Sequence, residues 1–421
     1  MERICGNSVN MRRFSSSFLL VGLMTSAAAQ AADPLGEEQL MADIARYQSF
    51  GVHRYGSAGA EAAFDWIADE LKKSGLAVNT QPFFMEKQYE FRSASLTVGS
   101  ARIDVLPQWW IPDAAARFSL TAAIAPSGAA QAPGQFVRLD VPYDRGAYLN
   151  AGHEAKLAEA FARNPAAVLL TIDHPSGEIF TYNVDQSTKP WPVPVILVAP
   201  KDRAVLADAE KAGTKVTVDV SGVYKQAVEG QNVVARLDRN KHKWLVISTP
   251  VTSWFTSTCE RGPGIAGFLA MARIAATRFP DFDLVFVATA GHEIGHGGMS
   301  YFMRRGAPSP RDVVAWAHFG ASLACRQPLV QVVLTSETMA PLVERTFTGI
   351  PGTRLVGEKA AVGEVRDVQS NGFPNFFGMA GAHKYFHTPA DNASEVDPAQ
   401  LVKVVKAFAD TLAEASKAAA R

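Results

Sequence analysis

Residues 284–298, LVFVATAGHEIGHGG, decide the fold, because a fully apolar segment runs directly into a glycine-rich polar one. The pentapeptide HEIGH at 292–296 matches the H-E-x-x-H pattern, in which one helix carries two zinc-binding histidines and a glutamate base. That pattern needs a continuous helix, and Gly295, Gly297 and Gly298 each cost about 1 kcal/mol in a helix interior. The flanks instead predict a buried strand that ends in a polar loop.

The length and charge of the chain limit the function classes. The 421 residues leave room for two or three domains and a large core. The 41 basic and 41 acidic residues cancel, which argues against a nucleic-acid-binding surface and against a polybasic membrane patch. We therefore expect an ordinary globular protein without a nucleic-acid partner. The oligomeric state cannot be predicted from these features.

The N-terminus has the order of a secretory signal peptide, which we place at residues 1–32. Two arginines at 12–13 precede an apolar run at 18–24, and small residues follow it. Cleavage is expected after Ala31 or Ala32. The apolar run is too short to cross a bilayer as a helix. We therefore expect a periplasmic or secreted protein without a membrane span in its mature chain.

The cysteines leave two alternatives open. Removal of the signal peptide also removes Cys5, so that Cys259 and Cys325 remain. In an oxidising compartment these two residues can form one disulfide. Because Cys259 falls in a loop that we assign to the site, a reactive thiol is the competing interpretation.

Strand and helix patterns alternate along the mature chain. This alternation predicts an α/β fold with a mostly parallel central sheet flanked by helices. Between residues 119 and 223 the sequence pattern changes to short apolar runs, such as AAVLLTI and VPVILVA, on either side of a predicted amphipathic helix. We therefore divide the chain into an N-terminal part of the main domain at 33–118, an inserted small α/β domain at 119–223, and a C-terminal part at 224–421 that carries the site.

Polar side chains cluster where the predicted strands end. These positions are Thr252 and Ser253, the run Cys259-Glu260-Arg261, the pair His292-Glu293, then His318, and finally His387 before Asp391. Ligands of parallel sheets lie beyond the carboxyl ends of the strands, so residues from several such junctions can converge on one site. A lone histidine at one junction is equally well explained as a buried imidazole bonded to a backbone carbonyl.

The motifs together resemble the secreted zinc aminopeptidase family, whose fold has a parallel sheet and an inserted protease-associated domain. The resemblance rests on RYGS at 54–57, VPVILVAPKD at 193–202, GQNVVARL at 230–237, GHEIGHGG at 291–298 and YFHTPADNASEVDP at 385–398. It covers nearly everything after the signal peptide. It implies an aminopeptidase-like α/β fold with an inserted domain of the protease-associated type. The family also contains the single-zinc glutaminyl cyclases.

The family's two-zinc ligand pattern is not fully present. Its His-x-Asp positions are Pro-Val-Thr at 250–252, which offer no imidazole or carboxylate. Its bridging Asp falls on Glu260, and its Glu-Glu pair becomes His292-Glu293. Its next Asp falls near Gly320, or on His318 if the loop is shifted, and its serine-aspartate-histidine stretch is absent. A two-zinc aminopeptidase is therefore not expected.

The resemblance still implies a single zinc ion. Glu260, Glu293 and His387, with His318 as a candidate fourth ligand, match the three protein ligands and open position of catalytic zinc.

Two further residues are assigned catalytic roles. His292 is expected to act as general base on a zinc-bound water, or to bind the metal itself. Arg261 either holds a substrate carboxylate or pairs with Glu260 or Glu293. If Arg261 pairs with Glu260, that carboxylate is structural and the zinc site is lost.

Three functions follow from these residues. The first is a secreted single-zinc hydrolase that acts on an amide or peptide bond of a small substrate. The second is a catalytically inactive pseudopeptidase that binds a peptide or another ligand in the cleft. The third is a metal-free hydrolase with Cys259 as nucleophile and His292 or His318 as base, which a disulfide at Cys259 would exclude.

Overall fold

The computed structural model describes residues 33–108, 116–184, 191–357, 359 and 361–420. The predicted signal peptide lies outside these ranges. Asp33–Arg421 make up one compact unit. Within the described ranges, no helix combines the length and the apolar character that crossing a membrane requires.

The helices and strands have the following bounds. The helices are α1 Glu37–Gln48, α2 Ala58–Lys73, α3 Ala151–Ala162, α4 Arg203–Ala212, α5 Thr258–Arg278, α6 Gly297–Arg305, α7 Ala340–Phe347, α8 Glu364–Ser370 and α9 Pro398–Ala420. The strands are β1 Ala77–Val98, β2 Ala101–Pro107, β3 Arg117–Ala123, β4 Phe136–Pro142, β5 Ala167–Asp173, β6 Val195–Val198, β7 Lys215–Leu237, β8 Trp244–Pro250, β9 Asp283–Thr289, β10 Val313–Phe319, β11 Pro328–Thr335, β12 Arg354–Gly357 and β13 Phe376–His383.

The strands of the described residues form one extended sheet. Its order is β12-β11-β13-β10-β8-β9-β7-β1-β2-β6-β5-β4, and β3 pairs with β7. Strands β13, β10, β8 and β9 run parallel to one another, whereas β7, β1 and β11 flank them in antiparallel pairs. The sheet is therefore parallel at its centre and mixed as a whole. The predicted α/β fold around a central sheet flanked by helices is confirmed.

Helices cover both faces of the central strands, because the side chains of these strands alternate between two buried clusters. Leu245 and Ile247 of β8 pack with residues of α2, α5 and α9 on one face. Val246 packs with Phe302 of α6 and Val368 of α8 on the other. Strands buried on both faces have the continuous apolar sequence that predicted them.

The residues of the predicted insert form the far end of the sheet. Strands β4, β5 and β6 are parallel, and they pack between α3 on one side and α4 on the other. Strand β7 passes through Val223 without a break and pairs with β1 from Ala77↔Arg236 to Val98↔Val216. The domain boundaries at 118/119 and 223/224 stay a prediction.

Helix α5 begins earlier than the sequence indicates, which corrects the predicted loop around residues 259–261. Thr258 is its first residue, and Cys259 and Glu260 lie in its first turn. The carboxylate of Asp391 accepts the backbone N–H groups of Cys259 at 2.8 Å and Glu260 at 3.0 Å. A carboxylate at these free N–H groups stabilises a helix start.

Candidate functional site

The carboxyl ends of the parallel strands meet at one edge of the sheet, and the predicted site residues follow them. The segment after β8 carries Thr252, the segment after β9 carries Glu293, and the segment after β13 carries His387. Each of these residues is at most 1% exposed. The structure thus brings the polar residues that follow these strands together, but inside the protein rather than on an open surface.

Glu260 lies at the centre of this buried cluster. Its Oε2 atom accepts a hydrogen bond from the Ser253 hydroxyl at 2.7 Å. Its Oε1 atom lies 2.9 Å from Nη2 of Arg261 and 3.3 Å from Nε2 of His387. Burial favours the neutral carboxyl, but the charge of Arg261 and the His387 imidazole outweigh it and hold the pKa of Glu260 well below its usual range. Glu260 is therefore a carboxylate at neutral pH.

Arg261 is one of the largest fully buried side chains of the described part. Its Nε–H donates to the backbone oxygen of Thr252 at 3.0 Å, and its Nη2 forms the ion pair with Glu260. Neither Nη1 nor Nη2 has a partner with hydrogen-bond geometry. The alternative in which Arg261 pairs with Glu260 is the one that the structure shows.

The carboxylate of Glu293 is occupied by two donors. Its Oε1 accepts the backbone N–H of Tyr55 at 2.7 Å, and its Oε2 accepts the Thr252 hydroxyl at 2.7 Å. The same Thr252 oxygen accepts the backbone N–H of Gly291 at 2.7 Å. Burial raises the pKa of Glu293, although these hydrogen bonds oppose the effect. Glu293 thus links three loops.

A segment of the predicted insert lies over this cluster. The backbone oxygen of Thr181 lies 2.9 Å from Nδ1 of His387, and the Thr181 N–H donates to the His387 oxygen at 3.2 Å. Three residues later, the N–H of Val184 donates to the backbone oxygen of Glu293 at 3.1 Å. These backbone bonds close the cluster against solvent.

The two remaining cysteines form a disulfide. Cys259 and Cys325 are bonded through their sulfur atoms, and both are buried. The bond leaves no thiolate, so the interpretation of Cys259 as a nucleophile is wrong. The disulfide also connects the first turn of α5 to the segment after β10.

A cavity of about 380 Å³ lies beside the buried cluster. Its walls include three imidazoles, those of His292, His296 and His318, and the carboxylate-bearing Glu364. Other wall positions are apolar, among them Val330, Val332, Val362, Ala380, Ala382 and Phe386. A concave site of this volume, mostly apolar with a few polar groups, is typical of small-molecule binding.

His292 lies in the cavity wall with a carboxylate behind it. Its Nδ1 lies 3.4 Å from Oε1 of Glu364, which is fully buried and accepts the Thr289 hydroxyl at 2.9 Å. Burial lowers the pKa of His292 well below its usual value, and the charge of Arg261 adds to the effect. At neutral pH His292 is therefore a neutral imidazole, and so low a pKa makes it a weaker general base than an ordinary histidine.

The other two imidazoles are also anchored through Nδ1. Nδ1 of His296 lies 2.8 Å from Oδ2 of Asp367, and the His296 ring stacks on His292 with centroids 4.6 Å apart. Nδ1 of His318 lies 2.8 Å from the hydroxyl of Ser248. Burial lowers the pKa of His318 to about 4. His318 therefore belongs to the cavity, and no contact joins it to Glu260 or His387.

Two arginines, Arg145 and Arg366, complete the wall of the cavity. Both are exposed, and no carboxylate of the described residues lies within ion-pairing distance of either. They come from the segment after β4 and from helix α8, so the cavity joins the predicted insert to the main sheet.

Comparison with known proteins gives similarity of structure alone. No family model matches the sequence, and no curated protein matches it. BSAP, a zinc aminopeptidase from Bacillus subtilis, is 16% identical with a TM-score of 0.70, over 90% of this chain and 95% of that one. A peptidase M28 precursor from Shewanella amazonensis SB2B and an aminopeptidase from Aneurinibacillus sp. strain AM-1 are also 16% identical. Their TM-scores are 0.64 and 0.62, over 91% of this chain and 96% of theirs.

The fold is that of the zinc aminopeptidases. The resemblance in the sequence motifs predicted it, and this prediction is confirmed. At 16% identity the similarity does not transfer a ligand set, so the fit of a metal must be judged from the residues present.

The donor set of this aminopeptidase-like fold does not fit a catalytic zinc ion. Oε1 of Glu260 and Nε2 of His387 are 3.3 Å apart, a spacing suited to two ligands of one tetrahedral zinc with bonds of about 2.0–2.1 Å. Among the described residues a third ligand is missing, because no group of three ligand atoms within 4.8 Å of one another includes Glu260 and His387.

The described residues offer no other site that fits a metal ion. In the described ranges, Cys259, Cys325 and His383 are the one group of three or more metal-ligating side chains whose ligand atoms lie within 4.8 Å of one another. Both sulfur atoms of this group are bonded to each other in the disulfide, so neither is a thiolate that could bind a metal.

The charge of Arg261 makes zinc binding still less favourable. Two like unit charges about 4 Å apart repel by about 4 kcal/mol at an effective dielectric of 20, and a divalent ion doubles that figure. The guanidinium lies 2.9 Å from the oxygen that zinc would have to bind. The predicted ligands Glu260, Glu293, His318 and His387 therefore do not form the expected zinc site.

Sequence reasoning missed several polar groups of the candidate site. Glu364 was not singled out, although it lies in the stretch where the family's serine-aspartate-histidine is absent. Arg145 and Arg366 carried no motif. Asp391 was noted with the polar residues after the strands and in the last motif, but not as a helix cap, because that role depends on a contact across 132 residues.

Proposed function

We propose that this protein binds a short peptide or small amide with a carboxylate and an apolar group, and that it does so without a metal ion. The observation that carries the proposal is the buried contact of Arg261 with Glu260, which places a fixed cation among the predicted ligands. A site closed in this way retains the fold of a peptidase without its metal chemistry. The ligand then lies in the neighbouring cavity.

The walls of the cavity define the ligand chemistry. Val330, Val332 and Ala380 offer an apolar surface, and Arg145 and Arg366 offer two cations. An arginine forms strong charge-assisted hydrogen bonds with a carboxylate. An apolar peptide with a free carboxyl end satisfies both parts of the wall. The fold shared with aminopeptidases supports a peptide or amide over other small acids.

The test measures binding of leucyl-leucine and of its C-terminal amide by calorimetry, with and without chelator. We expect the acid to bind about ten-fold more tightly than the amide, a difference of about 1.4 kcal/mol. Arg145→Gln with Arg366→Gln should remove this preference, whereas Arg311→Gln, at an exposed arginine outside the cavity wall, should retain it. Absence of binding, or binding that the chelator abolishes, would contradict the proposal.

A second candidate is metal-free hydrolysis of the same ligand. It is favoured by His292, which lines the cavity with Glu364 behind its Nδ1 atom. In this hypothesis His292 accepts a proton from water as the water attacks the amide carbon, and it returns that proton to the leaving amine as the C–N bond breaks. Cleavage of leucyl-leucine by chelator-treated protein, lost in His292→Ala, would support hydrolysis. Intact dipeptide after prolonged incubation would leave binding alone.

We also propose that the mature protein is periplasmic or secreted. The proposal rests on the order of basic, apolar and small residues in 1–32. N-terminal sequencing of the exported chain should start after Ala31 or Ala32, and an uncleaved cytoplasmic chain would contradict it.

A further inference from the structure

We propose that the ligand extends from the cavity lined by Arg145 and Arg366 (the first cavity) into a second cavity, where Asn183 donates a hydrogen bond to one of its carbonyl groups. The inference rests on the proposed function, because it names the class of peptide that this function selects. That class is a peptide whose last residues lie in the first cavity and which carries a large apolar side chain on their amino side.

The second cavity has a volume of about 380 Å³, and its walls come from the predicted insert. The rings of Phe161 and Trp191, with centroids 6.1 Å apart, line it together with Leu149 and Leu157. Among the described residues of its wall, only Glu154 is charged, so the cavity disfavours an acidic group. An apolar cavity of this size with aromatic walls is suited to a large uncharged side chain.

Asn183 supplies a polar group to this wall. Its Oδ1 accepts the indole N–H of Trp254 at 2.9 Å. Because an indole nitrogen only donates, this contact fixes which end of the amide is the oxygen and which is Nδ2. Nδ2 is buried and has no hydrogen-bond partner among the described residues, although Asn183 is only 2% exposed. An unsatisfied buried donor is costly, and a carbonyl oxygen of a bound peptide would satisfy it.

Tyr148 connects the two cavities, because it lies in the wall of both. Its ring lies edge-on to His296 of the first cavity, with centroids 6.3 Å apart. On either side of it in the sequence, Arg145 lines the first cavity and Leu149 lines the second. A peptide whose carboxyl end lies at Arg145 can therefore pass Tyr148 and place an earlier residue in the second cavity.

The loop between the two cavities is fixed by hydrogen bonds. The N–H of Asn183 donates to the backbone oxygen of Ala147 at 2.8 Å. The carboxylate of Asp144 accepts the backbone N–H of Gly146 at 3.0 Å and the side-chain amide of Asn150 at 2.7 Å. A wall that is already ordered in the free protein reduces the entropy lost on binding. The second cavity is therefore a formed site, which a ligand does not have to open.

The experiment measures peptide binding to the full mature chain by calorimetry. Leucyl-leucine is compared with two longer peptides, in which phenylalanine precedes it through one or two glycines. A fourth probe, N-acetyl-phenylalaninamide, has the apolar side chain and the carbonyl groups but no carboxylate. It therefore reports on the second cavity without the arginines of the first.

Three variants separate the contributions of the second cavity. Ala158→Trp fills the cavity from an exposed position of α3. Its matched control is Ala155→Trp, at an exposed residue of the same helix outside the wall. Asn183→Asp keeps an acceptor for the Trp254 indole but replaces the free donor with a second acceptor.

We expect at least one longer peptide to bind about ten-fold more tightly than leucyl-leucine. Ala158→Trp and Asn183→Asp should each abolish this ratio, whereas Ala155→Trp should retain it. N-acetyl-phenylalaninamide should bind to the wild type and to Ala155→Trp but not to Ala158→Trp.

Three results would overturn the inference. One is equal binding of leucyl-leucine and both longer peptides by the wild type. Another is a ratio that persists in Ala158→Trp, which decides the question even if Asn183→Asp does not fold. The last is a dimer in sedimentation that Ala158→Trp abolishes, because a second copy of the chain would then occupy the cavity. If leucyl-leucine does not bind but N-acetyl-phenylalaninamide behaves as expected, the proposed function fails and the second cavity is still supported.

Discussion

Replacement of Glu260 by glutamine should destabilise the protein strongly although it changes only one oxygen to an amide. The amide keeps an acceptor for the Ser253 hydroxyl but leaves Arg261 buried without an anion. Removing one partner of a buried pair typically costs about 3–5 kcal/mol, because the other charge stays uncompensated. With an unfolding entropy of about 2.1 cal/mol/K per residue over the roughly 390 residues after the predicted signal peptide, 1 kcal/mol corresponds to about 1.2 °C, so the melting temperature should fall by about 4–6 °C.

The matched control is Glu70→Gln. Glu70 also pairs with an arginine, Arg273, but both side chains are partly exposed and Arg273 keeps a second partner in Asp43. Partly exposed pairs contribute at most about 1 kcal/mol. Calorimetric melting and urea unfolding of both variants therefore separate the effect of burial from the loss of a carboxylate. Equal losses in Glu260→Gln and Glu70→Gln would refute the reasoning.

The pH dependence of this effect has a definite sign. The pKa of Glu260 is lower in the folded protein than its usual value of about 4.3. The carboxylate therefore contributes its full stability above pH 4.3, and this contribution is lost only as the pH falls through the lower folded pKa. The difference between wild type and Glu260→Gln should stay constant from pH 8 to pH 5. A difference that already shrinks between pH 7 and pH 5 would contradict the assignment.

Three further predictions follow from other buried contacts. Folding lowers the pKa of His318 from its usual 6.5 to about 4. The free energy of unfolding should therefore fall by about 3 kcal/mol as the pH is lowered from 6.5 to 4. The urea midpoint of His318→Gln should depend less on pH over this range than that of the wild type. Thr252→Val leaves Oε2 of Glu293 without its donor, although Oε1 keeps the Tyr55 N–H, and should cost about 3 kcal/mol in unfolding free energy, whereas an unchanged value would show that water replaces the hydroxyl. Asp391→Asn weakens the cap of α5 and should cost about 1 kcal/mol, measurable as a faster hydrogen exchange of the first α5 amides.

The central fold was predictable because its signals are local. Strands β8 and β9 lie buried on both faces, and their sequences are continuous apolar runs that no other element of this length explains. The Ser57 side chain caps α2 by accepting the Ala60 N–H at 3.2 Å, so the start of that helix is also visible in sequence. The start of α5 was not visible, because its cap is Asp391, 132 residues away.

The candidate site was predictable only as a set of residues. Glu260, Arg261 and His387 were all singled out, but the choice between a metal ligand and an ion pair depends on distances of about an ångström. The cavity was not predictable at all. Its cations come from Arg145 and Arg366, which are separated by more than half of the chain and carry no motif. Such a juxtaposition arises from the packing of the insert against the main sheet.

The disulfide between Cys259 and Cys325 makes the stability of the buried cluster depend on whether the chain folded under oxidising conditions. It joins residues that are 66 positions apart. Closing a loop of that length lowers the conformational entropy of the unfolded chain, which stabilises the folded state by about 4 kcal/mol. The neighbouring Glu260 and Arg261 are thereby anchored to the opposite wall before any ligand arrives. Protein produced in a reducing cytosol lacks this anchor, so batches that differ in oxidation should differ in melting temperature and in protease resistance. Thiol titration of each preparation therefore has to precede any comparison between variants.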